Sequence, residues 1–179
     1  QKIQPIHPGL SGVTVVGTTI TYSQDYKWNC TNFDVDVLIM NYYAAWGMTN
    51  ATVWVDYNST LLEVLGGVAG VTINTTKWTG PNDVTIIHGV PDYVIIVVRG
   101  FMGEEDLGAA VQVARIRFHI IGQGVAPPTG QYQSVLSINC TIWDHVREIP
   151  QDPAVPGLVI VQHFMALPLP WIEVVPSYI

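Results

Sequence analysis

The tripeptide Asn-Cys-Thr occurs twice, as Asn29-Cys30-Thr31 and Asn139-Cys140-Thr141, and these copies hold the only cysteines in the 179-residue chain. Each cysteine is the middle residue of an N-x-[ST] acceptor for N-linked sugar. Along an extended strand successive side chains point to opposite faces, so a core-facing Cys turns its neighbouring Asn and Thr toward solvent. Around the second copy, Leu136, Ile138, Cys140 and Ile142 alternate with Ser137, Asn139 and Thr141. The pair therefore predicts a buried Cys30–Cys140 disulfide between the second and penultimate strands of a β-sandwich, with Asn29 and Asn139 facing outward. A loop of about 110 residues closed this way constrains the unfolded chain by roughly 4–5 kcal/mol in the loop-entropy model. Two free buried thiols are the alternative.

Asn29, Asn50, Asn58, Asn74 and Asn139 all sit in N-x-[ST], five of the eight asparagines in the chain. With Ser and Thr near 12% of residues, chance would give about one such site. N-glycosylation of most of them, in a secreted or cell-surface protein, is the expectation. Charged residues are only 12% and the mean hydropathy is +0.31, against about 25% charged in ordinary soluble domains. No apolar run reaches the roughly 20 residues of a membrane helix. A surface so poor in charge needs glycans or permanent assembly to cover it. The net charge of −7 excludes a nucleic-acid binder, which must neutralise phosphates. Gln1 is expected to be a processed N-terminus.

Period-two alternation dominates. Phe33, Val35, Val37 and Ile39 alternate with Asp34 and Asp36; Val53, Val55 and Tyr57 share one face of Thr52–Tyr57; Ala114, Ile116, Phe118 and Ile120 alternate with Arg115, Arg117 and His119. Tyr93–Val98 is apolar on both faces and predicts a central strand covered on both sides. No segment reads as a helix. The expected fold is all-β, a two-sheet jelly-roll sandwich of about nine to ten strands over residues 12–162. An extended arm (1–11) precedes it, and an apolar, Pro-containing extension (163–179) follows.

Ala51–Val64 (ATVWVDYNSTLLEV), Gly108–Gly122 (GAAVQVARIRFHIIG), and Ser134–Ile149 with Gly157–Val161 (GLVIV) resemble, in order, strand motifs of the cohesins. The resemblance implies a nine-stranded jelly-roll shared by dockerin-binding cohesins and carbohydrate-binding modules, without fixing which function applies. The disulfide, the sequons and the end segments depart from the cohesin pattern.

Catalytic chemistry has no motif here. His7, His88, His119, His145 and His163 are scattered and show no metal-binding spacing. Glu104-Glu105-Asp106 offers hard oxygen ligands that suit calcium, with a solvated loop as the alternative; Asp34 and Asp36 are a weaker metal candidate. Tyr42, Tyr43 and Trp46, together with Trp54, suggest an aromatic interface or a sugar-stacking platform, with core packing as the alternative. The N-terminal arm and first strand, through Val13, Val15 and Ile20, have the alternating apolar character of a donated strand, and Trp171–Ile179 fits less well; the alternative is that both tails wrap their own sandwich. In layout the chain is similar to the glycosylated donor-strand subunits of archaeal threads and pili. The leading expectation is a structural subunit of an extracellular filament, polymerised head-to-tail with copies of itself. A monomeric cohesin-like or carbohydrate-binding adhesion module is the alternative.

Overall fold

β-Branched residues in strict alternation form strands because each strand can then bury one face while hydrating the other. The computed structural model describes residues 13–16, 26–28, 32–42, 44–103, 109–121, 130–149 and 157–163. In chain order the strands are β1 (Val13–Val16), β2 (Tyr26–Trp28), β3 (Asn32–Tyr42), β4 (Asn50–Tyr57), β5 (Leu62–Val64) and β6 (Val71–Ile73). They continue with β7 (Asp83–Ile87), β8 (Asp92–Arg99), β9 (Ala109–Ile120), β10 (Gly130–Trp143) and β11 (Gly157–His163). Short 3-10 turns at Ala44–Trp46 and Gly67–Gly70 are the only helical elements among the described residues.

The strands make two sheets. The first runs β1-β3-β9-β5, with β6 also on β9; the second runs β2-β11-β10-β4-β8-β7. All pairings are antiparallel except β2 on β11. The inner faces supply one apolar core. Val35, Val37 and Ile39 of β3, and Ile116, Phe118 and Ile120 of β9, lie against Val53 and Val55 of β4 and Val94, Ile96 and Val98 of β8 in the buried cluster. This is the predicted two-sheet sandwich.

One register shift reshapes β9. Val37 pairs with Ala114 while Leu38 pairs with Gln112, so Val113 is an extra residue and both Val113 and Ala114 are fully buried. The bulge changes the phase of the alternation. Upstream, Val111 and Val113 face the core; downstream, Ala114, Ile116, Phe118 and Ile120 do so.

The first sheet keeps its outer face polar. Arg115 donates to both carboxylate oxygens of Asp36, at 2.7 and 2.8 Å, and Gln112 adds a third bond to Asp36 at 2.7 Å. Arg117 lies 3.8 Å from Asp34, and the His119 ring nitrogen Nδ1 is 2.6 Å from the Asn32 side-chain oxygen. The Arg115 guanidinium holds the Asp36 carboxyl below its ordinary value, ahead of the opposing effect of burial. Asp36 is thus engaged by a cation across the sheet, which replaces its reading as a metal ligand.

Candidate functional site: the outer face of the second sheet

β10, β4, β8 and β7 lie side by side, so their outward residues line up in rows across the sheet. Register places Asn139, Trp54, Ile95 and Thr85 in one row, and Thr141, Thr52, Val97 and Asp83 in the next. On one side of these lie Ser137, Asp56, Tyr93 and Ile87; on the other lie Trp143, Asn50 and Arg99. An antiparallel sheet with one hydrated face should be polar on that face. Here Trp54, Tyr93, Ile95 and Val97 are only half-buried, while Ile87, Val135 and Trp143 are 46%, 52% and 40% exposed.

This corrects the expectation that Tyr93–Val98 is covered on both sides. Its inner residues Val94, Ile96 and Val98 are fully buried, but Tyr93, Ile95 and Val97 have no second layer over them among the described residues. The signal was present in the sequence as a strand apolar on both faces. What the sequence could not show is that the described residues cover only one of them.

The apolar strip carries one charge beside it. Asp56 sits next to Tyr93 in register and shows no hydrogen bond or ion pair among the described residues. Burial pushes its carboxyl above the ordinary value. At the opposite end, Arg99 donates from Nη1 to the Pro81 carbonyl at 2.5 Å, and its backbone N–H donates to the Asn82 side-chain oxygen at 2.8 Å. A depression of about 380 Å³ between Thr52, Val97, Arg99, Trp143 and the Asp144–Val146 loop prolongs the face there.

The predicted aromatic platform is not on this surface. Tyr42 and Trp46 are 2% and 5% exposed, packed edge-to-face with centroids 5.7 Å apart. Their rings fill the core at one end of the sandwich, because the turn Ala44–Trp46 folds Trp46 back onto Tyr42. Tyr43 lies outside the described residues, and of the described members of that group only Trp54 lies on an outer face.

The remaining expectations divide similarly. Val13 and Val15 lie in β1, which pairs with β3 of its own sheet; Ile20 lies outside the described residues. Within the single chain this segment forms the edge of its own first sheet. Glu104, Glu105 and Asp106 also lie outside the described residues, and no group of metal-ligating side chains occurs among the described ones. No helix among them is long and apolar enough to cross a membrane.

Cys140 is buried, as expected, and Cys30 lies outside the described residues. Trp28 is in register with Gln162, which pairs with Gln131, nine residues before Cys140 on β10.

Four of the five sequons are described. Asn58 and Asn139 are exposed, and Asn50 and Asn74 are half-buried. The Asn58 side-chain oxygen accepts from the Thr60 hydroxyl at 2.7 Å and from its backbone N–H at 3.0 Å. That of Asn74 accepts from the Thr76 hydroxyl at 2.6 Å. Asn29 is outside the described residues.

Comparison with solved structures identifies the class of fold. The chain resembles the cohesin CaCohA2 of Clostridium acetobutylicum in solution, with a TM-score of 0.57 and 14% identity over 89% of this chain and 95% of that one. It also resembles the sixth cohesin of Acetivibrio cellulolyticus scaffoldin B, solved with a Cel5 dockerin (TM-score 0.55, 15% identity, 84% of this chain and 98% of that one). A third similar structure is a type I cohesin–dockerin complex of Clostridium thermocellum (TM-score 0.57, 12% identity, 84% and 99%). The protein thus has the cohesin sandwich fold. No protein-family model matches its sequence, and no curated protein does.

Proposed function

We propose that the chain is an extracellular protein-binding module, cohesin-like in action as well as fold, and that it docks its partner on the outer face of β10-β4-β8-β7. The observation that carries this is the strip Trp54–Ile95–Val97, which the chain builds in a sheet centre and leaves half-covered. Contiguous apolar patches on an outer face mark interaction sites. The partner that fits is a folded protein with an apolar surface and a Lys or Arg placed to meet Asp56, whose carboxylate meets no counter-charge among the described residues. That cohesins of this fold are solved with dockerins supports a protein partner. The N-x-[ST] acceptors at Asn29, Asn50, Asn58, Asn74 and Asn139 support an extracellular setting. A filament joined by a donated first strand would require β1 to leave β3, and the exposed strip supports the docking reading over it.

Covering Trp54 should be worth roughly 2 kcal/mol or more at the centre of such an interface. Immobilised protein is expected to retain a partner from the extracellular fraction of the source culture, and Trp54→Ala to weaken that partner's binding about 30-fold by calorimetry. The wild-type association should show a negative heat-capacity change. Trp54 is half-exposed, so the thermal midpoint of the variant should stay close to wild type. Unchanged affinity in Trp54→Ala would remove this face from the interaction.

A further inference from the structure

Among the described sequons, Asn50 and Asn139 lie on the docking face, and their geometry differs. Asn50 is half-buried, and its amide nitrogen donates to the Thr49 hydroxyl at 3.4 Å. Asn139 is exposed and sits directly opposite Trp54 in the β10–β4 register. Directly opposed residues on one face have Cβ atoms about 4.5–5.5 Å apart. On the other flank of β10, pairing with β11 ends at Leu136–Gly157, so no described strand lies beside Asn139 there. Asn139 is exposed there, and the apolar side chain directly opposite it on the face is the Trp54 indole.

We propose that Asn139 carries an N-linked glycan whose first sugars lie across Trp54 and Ile95, closing the docking face while the glycan is present and opening it when the glycan is absent. In its attachment the Asn139 amide nitrogen displaces a lipid-linked pyrophosphate from the anomeric carbon of the donor sugar. The N–C bond forms, the C–O bond to phosphate breaks, the pyrophosphate leaves with the electron pair, and the amide proton passes to a base on the transferase. A pyranose has an apolar face, and an indole is a large apolar surface with a polar edge, so the two suit stacking. This proposal rests on the docking reading of the face and adds a covalent control to it. The side-chain oxygens of Asn58 and Asn74 accept from the Thr60 and Thr76 hydroxyls, and neither residue pairs opposite Trp54.

The test uses the full chain made in a secretory host that N-glycosylates, with occupancy at Asn139 read by peptide mass spectrometry. The probe for the face is the apolar dye ANS. Asn139 is expected to be occupied in most molecules, and Thr141→Ala, which destroys the acceptor, to raise dye fluorescence about threefold. Trp54→Ala in the Thr141→Ala background should return it to the wild-type level. Enzymatic deglycosylation of folded wild-type protein should give the same rise, which keeps the test intact should Thr141→Ala fold poorly. An unoccupied Asn139, or Trp54-dependent dye binding that ignores the glycan, overturns the proposal and leaves the docking reading standing. Dye binding insensitive to Trp54 in the unglycosylated protein overturns both.

Discussion

Trp78→Ala is expected to destabilise the fold by about 3–5 kcal/mol, against a total margin of about 5–15 kcal/mol for an ordinary domain. Trp78 lies outside every strand yet is fully buried. Its ring packs on Phe101 at a centroid distance of 4.9 Å, and its indole N–H donates to the Gln112 carbonyl at 3.1 Å. Phe101 continues to Tyr42 at 5.1 Å and Tyr42 to Trp46 at 5.7 Å, so a chain of rings closes one end of the sandwich. The backbone holds Trp78 in place from both sides. Thr79 N–H donates to the Gly100 carbonyl at 3.1 Å, Gly80 N–H to that of Arg99 at 2.9 Å, and Met102 N–H to that of Lys77 at 2.8 Å. Gly100 has φ +66°, and a Cβ there would lie 2.7 Å from the Gly80 nitrogen, so only glycine permits this approach. Urea unfolding followed by circular dichroism measures the loss. Trp78→Phe should recover about half of it, because most of the ring volume returns without the Gln112 bond. A loss below about 1 kcal/mol for the alanine variant would place the ring outside the core.

Asp92→Asn is expected to cost about 2–3 kcal/mol at pH 7 and to flatten the acid end of the stability profile. Asp92 is 6% exposed at the start of β8. One carboxylate oxygen accepts from the Tyr57 hydroxyl at 3.3 Å and lies 2.8 Å from the His88 ring nitrogen Nδ1; the other accepts from the Gly89 N–H at 2.9 Å. Burial pushes this carboxyl up, but the Gly89 N–H, the hydrogen bond and charge of His88, and the Ser59 hydroxyl together bring it below the ordinary value. Burial, and then the charge of Asp92, pushes the Tyr57 hydroxyl up to about 12. A carboxyl lowered in the folded state adds stability above its unfolded pKa, about 3.9, and that stability is lost as pH falls through the folded value. The wild-type urea midpoint should therefore drop between about pH 5 and pH 2, and Asp92→Asn should converge on it in acid. Asp36 is also held low, by Arg115, so the slope shrinks without vanishing. Parallel acid profiles for the two proteins would show that Asp92 does not carry this linkage.

Much of the sandwich was legible because period two is a local signal. β4 buries every second residue, as Val53, Val55 and Tyr57 indicate, and β10 does the same with Leu136, Cys140 and Ile142. β9 was legible only downstream of its bulge, since the extra Val113 is fixed by pairing with β3 and not by local composition. The aromatic stretch at Tyr42–Trp46 was harder. Irregular spacing gives no phase, and whether a ring faces water there depends on Phe101 and Trp78, far along the chain. The docking face was half-legible. Ile95 and Val97 announced that β8 could be covered on both sides, but only the assembled sheet shows that the described residues leave its outer face half-covered.

The pairing of β10 with β4 also has a kinetic meaning. It joins Asn50 to Trp143 and Asp56 to Ser137, residues some eighty to ninety positions apart. Loop closure of that length precedes any gain from the contacts, so topologies of this kind fold in milliseconds to seconds. β7 and β8 can zip together early across a short turn, holding Ile95 and Val97 without Trp54 or Asn139 beside them. The row that sets Asn139 beside Trp54 and Ile95 is complete only when β10 reaches β4 across the chain, so this part of the outer face is a late product of folding.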